Sequence, residues 1–593
     1  MKEQQSFVTA PDGVRLAVFE WGDRSAASTV VLVHGYPDTH AVWRPIAEQL
    51  AERHHVVAYD VRGAGASDAP RRIGAYTLAT LEADLGAVLQ HASPDRPVHL
   101  VGHDWGSIQS WESVTGTALA DRIASFSSIS GPCLDHVGQW MRDKLRHPSP
   151  RGLAQAAWQG VHSWYIGYFH LPLLPPLLWR TAMVKAWPAL LRALEGVPHG
   201  SGSPTFPTDA VRGLALYRAN MIPRLSRPRR RPTDIPVQLV LPQKDLFVTP
   251  SMAGQAPQPY VDRLWRRPLR AGHWAPLTHE TVLARWIDEF VTHVEGGPAA
   301  PGLERAQVHH TVELAAEPRP AHTGQLVVVT GAGSGIGRAT ALAFAEAGAS
   351  VVAADLNPDS AARTAQLATL LGAPHAGSYA VDVSDVAAME SFAKAVQAEY
   401  GVPDVVVNNA GIGLGGAFLD TQTSDWDAVL GVNLMGVVHG CRLFGAMMKE
   451  RGEGGHIVNI ASAAAFLPSR TLAAYATSKA AVLMLSECLR AELADEGIGV
   501  SAVCPGFVNT AIAKTTRYVG VSDGEQDRLR RNADRLYRLR NLPPERIAEA
   551  VLRAVRENRP VVPVAAEARI GQALSRFAPG ALRFVARRDL TPR

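Results

Sequence analysis

The stretch Gly102-His103-Asp104-Trp105-Gly106 sets a carboxylate between two glycines. The apolar run before it, 98–101, reads as a short buried strand, and the residues from 107 read as a helix start. A strand, a sharp Gly-x-nucleophile-x-Gly turn and a helix expose the central side chain above a sheet edge. A serine there would suit acyl transfer. An aspartate attacking saturated carbon gives an alkyl ester, which water must then cleave. A second chemical signal lies far downstream, in Thr330-Gly331-Ala332-Gly333-Ser334-Gly335-Ile336-Gly337. This glycine-rich turn follows the apolar run 325–329 and opens a helical stretch over 338–347, as a dinucleotide cradle requires. Gly331 and Gly335 allow close backbone approach, and the helix N-terminus at Ile336 and Gly337 faces the pyrophosphate.

The elements that must carry these residues alternate between strand and helix, the pattern of a parallel α/β sheet. The chain has 593 residues, too many for one core. Its 47% hydrophobic and 19% charged residues are those of a folded globular protein. A net charge of only +4 gives no general affinity for nucleic acid. Cys133, Cys441, Cys488 and Cys504 are scattered, which argues for a reducing compartment and against structural zinc; no metal is expected. No secretory signal is visible at residues 1–8, and no uninterrupted apolar stretch reaches the length of a membrane span.

Pro11-Asp12-Gly13 reads as a hairpin turn, 29–33 as a buried strand ending in His34-Gly35-Tyr36-Pro37, and 56–59 as another ending at Asp60. Residues from about 131 to 231 interrupt the rhythm. They are rich in Trp, Tyr, Leu and Pro and read as a helical cap over the sheet's C-terminal edge, where ligands bind. Within it, the proline-broken run 171–179 fits a lining segment. The basic residues Arg224, Arg227, Arg229, Arg230 and Arg231 read as a solvated loop, with anionic lipid headgroups as the sharper alternative.

Together, His34-Gly35-x-Pro37, the Asp60-x-Arg62-Gly63-x-Gly65-x-Ser67 loop and Gly102-x-Asp104-Trp105-Gly106 resemble the α/β-hydrolase branch of epoxide hydrolases and haloalkane dehalogenases, over about 6–293. The resemblance implies that Asp245, after the strand 237–241, orients a catalytic His273 in Ala271-Gly272-His273-Trp274. His273 then takes a proton from the water that cleaves the Asp104 ester. Backbone amides of Tyr36 and Trp105 are expected to face the ester oxygen. Ser163-Trp164-Tyr165-Ile166-Gly167-Tyr168-Phe169 and Leu216-Tyr217-Arg218-Ala219-Asn220-Met221 resemble the two cap tyrosine motifs of epoxide hydrolases. Tyr165, with Tyr168 as its alternative, and Tyr217 are then the phenols that hold and protonate the epoxide oxygen. A dehalogenase remains the rival, although Tyr36 stands where that branch carries a halide-binding Asn.

A linker is expected over 294–323, where strand–helix rhythm stops. The strand 350–354 beyond it ends in Asp355, a carboxylate placed to bind ribose hydroxyls and repel a 2′-phosphate. Ser334 offers no positive charge, so NAD is favoured over NADP, with Arg338 the complicating residue. Asp382-Val383, Asn408-Asn409-Ala410-Gly411, Asn433, Ser462, Tyr475-Ala476-Thr477-Ser478-Lys479 and Pro505-Gly506 with Thr510 resemble the motifs of short-chain dehydrogenases over about 324–565. Residues four apart share a helix face. Lys479 is therefore expected to lower the Tyr475 phenol pKa and to hold the nicotinamide ribose, while Ser462 holds the substrate oxygen and Asn433 relays protons.

The fold class expected is α/β throughout: an α/β-hydrolase fold with a helical cap (1–293), then a Rossmann-fold short-chain dehydrogenase (324–593). This order resembles the D-type bifunctional epoxide hydrolases. It implies epoxide hydrolysis to a vicinal diol and NAD(P)-linked alcohol–ketone interconversion on lipid-like small molecules, and a homodimer through the dehydrogenase. Three alternatives stand beside it: a dehalogenase fused to a dehydrogenase, one catalytically silent domain serving lipid binding, or one serving dimerisation. The tail 567–588, apolar and arginine-rich but broken at Pro579-Gly580, reads either as an interfacial helix or as one docked on its own domain. A cytoplasmic location, with peripheral contact at the inner membrane face, fits this reading.

Overall fold

The continuous β-branched runs of the first half become strands with every residue buried, Thr29–Val33 and His55–Tyr59 among them. The structure is a computed structural model describing residues 3–197, 203–308 and 321–586. It divides into two compact units, Met1–Leu314 and Ala315–Arg593.

In the first unit, eight strands run in chain order: β1 (Gln4–Thr9), β2 (Arg15–Trp21), β3 (Thr29–Val33), β4 (His55–Tyr59), β5 (Val98–His103), β6 (Ile123–Ile129), β7 (Val237–Pro242) and β8 (Leu264–Leu269). Their order in the sheet is β1-β2-β4-β3-β5-β6-β7-β8. The N-terminal hairpin pairs antiparallel, β2 pairs antiparallel with β4, and all later pairs are parallel. Strand order reverses around β3, which lies between β4 and β5. The loops leaving β3 and β5 therefore open a crevice at their carboxyl ends.

Between β6 and β7 the chain is helical, from Leu134–Arg146 through Pro150–His162, Trp164–Phe169, Val184–Glu195 and Phe206–Arg212 to Leu214–Ser226. The arginine stretch that closes this cap is only partly a solvated loop. Arg224, Arg229 and Arg231 converge on Glu112 of the helix Trp105–Val114, with Nη–Oε1 distances of 2.9, 3.3 and 2.9 Å. Arg224 and Arg229 also reach Asp135 on the first cap helix. Three of the five arginines thus fasten both ends of the cap to the core. The run 171–179 also departs from expectation. Pro175 and Trp179 turn inward, but Leu173 is 80% exposed.

The expected linker is partly ordered. Pro301–Ala306 is a helix whose Leu303 is buried against Trp265 and Phe290, and Val308 donates to the Leu264 carbonyl at 2.8 Å. Residues 309–320 lie outside the described chain.

The second unit opens with β9 (Leu326–Thr330) and continues through β10 (Ser350–Asp355), β11 (Ala376–Ala380), β12 (Val405–Asn408), β13 (Leu414–Gly415), β14 (Gly455–Ile460), β15 (Ile498–Pro505), β16 (Arg517–Tyr518) and β17 (Val561–Val564). Seven form a parallel sheet, β11-β10-β9-β12-β14-β15-β17, while β13 and β16 pair separately. The helical run Thr423–Arg451 is long and apolar enough to cross a membrane by length and composition, although no such span was expected. Half of its most apolar window is buried within this unit. In the tail, Ala566–Phe577 and Pro579–Ala586 are separate helices. The first packs Gly571 against Leu467, yet Ile570 and Phe577 stay exposed, so the face docked on its own domain is only half of the helix.

Glu112→Gln leaves Arg224 and Arg229 sharing Asp135 and takes away the carboxylate that pairs with Arg231. The expected loss is about 3 kcal/mol, the scale for breaking a buried ion pair. A lower denaturant midpoint for the first unit, read by tryptophan fluorescence, checks it.

Candidate active sites

Asp104 follows β5 with φ 49° and ψ −121°, a conformation that L-residues adopt only when their surroundings enforce it. The flanking glycines are part of that enforcement. A Cβ on Gly102 would lie 2.6 Å from the Ser107 Cα, and one on Gly106 would overlap the Val33 carbonyl. Helix Trp105–Val114 thus presses directly on β3 and β5. The turn aims the Asp104 carboxylate at the β3 loop, where its Oδ2 accepts the Tyr36 N–H at 2.8 Å. The Trp105 N–H also reaches it. Burial raises the carboxyl pKa, while nearby His273 and these two amides oppose the rise.

His273, from the loop after β8, faces this carboxylate with its Nε2 3.7 Å from Asp104 Oδ1. Its Nδ1 donates to Asp245 Oδ2 at 3.0 Å. Asp245 Oδ1 accepts from Phe247 N–H at 2.8 Å and Val248 N–H at 2.9 Å. Burial alone would pull the imidazole pKa down. The charges of Asp245, Asp104 and Glu195 outweigh it and hold His273 at about 9. His103 supports the loop from beneath, donating to the His273 carbonyl at 2.9 Å. Burial and the neighbouring His273 push its own pKa down to about 3, so it is neutral.

The cap supplies two phenols, Tyr217 buried and Tyr165 half-buried. Tyr217 on Leu214–Ser226 packs its ring edge-on against Trp105 at 4.9 Å and against Tyr165 at 6.0 Å. Burial first, and then the charge of Asp104, raises both phenol pKa values. Tyr168 feels burial alone. Its ring packs on Trp164 and Phe169, so Tyr165 is the phenol of this helix that the nucleophile's charge reaches.

Two carboxylates here carried no sequence signal. Asp38 accepts the Trp274 indole N–H at 3.0 Å, and burial lifts its pKa to about 7. Glu195, the last residue of Val184–Glu195, accepts the Trp274 backbone N–H at 3.4 Å and presses on Gly272. The latter contact grips the histidine loop from the cap.

In the second unit the glycine turn after β9 has positive φ at Gly331 and Gly335, 64° and 51°. A Cβ on Gly337 would strike the Gly331 carbonyl, and one on Gly333 would meet the Asp355 carboxylate at 2.6 Å. Asn409 clamps the turn by donating to the Thr330 and Gly331 carbonyls, each at 3.0 Å. Asp355 Oδ2 accepts Gly333 N–H at 2.8 Å. Arg338 is turned away from any phosphate role, with Nε donating to Thr364 Oγ1 at 3.1 Å and Nη2 to the Gly333 carbonyl. Thr510 covers Gly335, and Gly506 is backed by Glu567, which also accepts Phe507 N–H at 3.0 Å. Asp382 caps its own turn through Ser384, while Val383 is buried and its carbonyl meets His439 Nδ1 at 3.0 Å. Ser334 is extended at the mouth of the cradle. Such a cradle, lined by amides and closed by a carboxylate, fits a dinucleotide.

Beside it, Ser462 caps the turn Ala463–Ala465 and reaches the Tyr475 phenol. Lys479 Nζ donates to the Ile460 carbonyl at 2.9 Å and lies 6.0 Å from the Tyr475 ring centroid. Asn433 sits in the π-helical segment Gly431–Met435. Its Oδ1 accepts Ile412 N–H at 2.8 Å, and its Nδ2 donates to Ser478 Oγ at 3.2 Å. One expectation needs correction. The Tyr475 pKa is raised by burial, with only the Ser462 hydrogen bond opposing it. Lys479 is itself pulled down to about 8 by burial, although the nearby Cys504 opposes this. A desolvated ammonium aimed at a backbone carbonyl contributes little to a phenol.

An alpha/beta hydrolase fold model matches residues 28–165, and a short chain dehydrogenase model matches 325–518. The probable oxidoreductases EphD of Mycobacterium tuberculosis and Mycobacterium bovis are each 43% identical over 597 residues, covering 99% of both chains. D-threitol dehydrogenase of Mycolicibacterium smegmatis is 42% identical over 190 residues, covering 32% of this chain and 72% of its own. A solved short-chain dehydrogenase/reductase from Burkholderia phymatum, in complex with NAD, is 32% identical with a TM-score of 0.41, covering 45% of this chain and 97% of its own. The match to EphD along the whole length settles the relationship: the chain belongs to the EphD family, an α/β-hydrolase unit joined to a short-chain dehydrogenase unit.

Proposed function

We propose that the first unit hydrolyses epoxides to vicinal diols through an alkyl ester on Asp104. The observation that carries this is a pair of cap phenols, Tyr165 and Tyr217, packed edge-on with Tyr217 also on Trp105 beside the elbow, and both within reach of the Asp104 charge. Phenols kept protonated by burial can donate to an epoxide oxygen, a far stronger base once the ring opens. Asp104 attacks a ring carbon as the ion, steadied by His273. The ester carbonyl oxygen then faces the amides of Tyr36 and Trp105. Ester formation removes the charge of Asp104, one of the charges holding the imidazole pKa up. The imidazolium proton passes to the phenolate left when a cap phenol protonates the opened ring, and the neutral His273 then accepts a proton from water as that water attacks the ester. Asp245 stabilises the resulting imidazolium.

The second unit then catalyses nicotinamide-dependent alcohol–ketone interconversion, with NAD preferred. Asp355 would hold the adenosine ribose, the amides of 331–337 the pyrophosphate, and Lys479 the nicotinamide ribose. A bound nicotinamide supplies the hydride acceptor or donor. Tyr475 exchanges the proton with the substrate oxygen, which Ser462 orients. Asn433 holds the helix and the 411–412 loop that carry proton exchange to Lys479. The substrates in this reading are alkyl-bearing and lipid-like, as the aromatic and aliphatic cap suggests, and a homodimer through the second unit belongs to the same reading.

In His273→Gln, the ester is expected to accumulate, with turnover falling roughly a thousandfold. Intact-mass spectra after addition of styrene oxide read the adduct, and an unmodified chain contradicts the mechanism.

A pH effect follows from the His273 shift. Its folded pKa of about 9 lies above the ordinary 6.5, so its stabilisation is full below pH 6.5 and lost as pH rises to 9. The melting-temperature difference between wild type and His273→Gln is expected to change in favour of the variant across that window. A constant difference contradicts the charge assignment.

Tyr475→Phe is expected to lower oxidoreduction by ~100-fold or more while NAD binding, followed by quenching of protein fluorescence, persists. Unchanged turnover of secondary alcohols removes Tyr475 from the acid–base role.

A further inference from the structure

The cap helices expose both large apolar side chains and positive charge without an ion pair. Trp158, Val161, Trp164, Leu173, Leu177 and Leu194 are exposed by 60, 62, 70, 80, 60 and 64%. They come from four consecutive helical segments, Pro150–His162, Trp164–Phe169, Leu174–Leu178 with its leading residue, and Val184–Glu195. Isolated apolar residues on a surface are ordinary, but a run of tryptophans and leucines over neighbouring helices marks a contact. Inward packing does not account for them, because the same segments bury other residues. Trp164 faces solvent while the adjacent Tyr165 packs on Tyr217 and Phe247, and Leu173 faces out while Trp179 packs on Tyr36 at 6.1 Å.

The charge is as uneven as the apolarity. Residues 131–231 hold fourteen Lys and Arg against four Asp and Glu, whereas the entire chain is only +4. Two of the four acids, Asp135 and Asp209, are buried. Glu112 and Asp135 occupy Arg224, Arg229 and Arg231. Among the described residues, Arg151, Arg180, Lys185 and Arg192 are exposed and make no ion pair.

We infer that this face docks on an anionic lipid bilayer. Tryptophan and leucine enter the headgroup–acyl boundary, and arginine and lysine meet lipid phosphates. A second copy of the same face would bring two like charges together, and an acidic protein would leave the leucines uncovered. Docking sets the Tyr165 helix, Trp164–Phe169, between the lipid and the nucleophile. The inference goes beyond the catalytic reading and does not rest on it.

The test is co-sedimentation of the full chain with vesicles of phosphatidylcholine, with and without an equal share of phosphatidylglycerol. Binding is expected to the anionic vesicles and to fall with added salt. In Trp158→Ser/Leu173→Ser/Leu177→Ser, the bound fraction is expected to fall ~tenfold with the melting temperature unchanged. Arg180→Gln/Lys185→Gln/Arg192→Gln is expected to lose the preference for phosphatidylglycerol. Three results overturn the inference. One is undiminished binding by the apolar variant. Another is loss of binding only when Ile570 and Phe577 of the tail are changed to serine. The third is self-association, by light scattering, that the cap variant abolishes.

Discussion

A negative charge buried at the end of β5 governs the architecture of the first unit. Asp104 must be desolvated to attack carbon, and desolvation raises its pKa and weakens it as an anion. The fold offsets this with two backbone amides and an imidazole held positive. That imidazole is in turn sustained by Asp245, whose second oxygen is saturated by two further amides. Each charge in the chain is therefore stabilised by its neighbour and unstable without it. In the proposed reaction, ester formation removes one of the charges that hold the imidazole pKa up.

The second unit handles a buried charge differently. Lys479 has a backbone carbonyl and Cys504 as neighbours, not a carboxylate, and burial lowers it to about 8. An ammonium near its titration point at neutral pH suits proton exchange better than fixed charge stabilisation. Its geometry depends on Asn433 and Ser478, which tie the π-helical segment to the helix Ala473–Glu492. The cradle beside it relies on steric exclusion, since Gly333 and Gly337 leave no room for any side chain.

Local chemistry was legible in the sequence because it depends on short spacings. The elbow at Asp104, the glycine turn from Gly331 and the Tyr475–Lys479 pair each lie within one turn of backbone. Strand runs were legible for the same reason, since parallel strands buried on both faces read as unbroken apolar segments. What was hidden depends on partners remote in the chain. Arg224 and Arg231 looked like a solvent-facing basic loop because Asp135 and Glu112 lie 89 and 119 positions away. Glu195 and Asp38 gave no signal, as a lone carboxylate acquires meaning only beside His273 and Trp274. Helical spacing placed Lys479 on the Tyr475 face, yet could not say that its Nζ turns to the Ile460 carbonyl. The leucines of 171–179 give no sign of their exposure in the sequence, since apolar runs in a proline-broken helix carry no period that distinguishes inside from outside.

The central claim is that the oxygen delivered to the substrate first belongs to Asp104. A single turnover in ¹⁸O-labelled water, with enzyme in excess over styrene oxide, tests it most directly. The account expects the first diol to carry unlabelled oxygen at both carbons and the peptide containing Asp104 to gain the label. Label in the first diol, with Asp104 unlabelled, would mean direct attack by water and would contradict it.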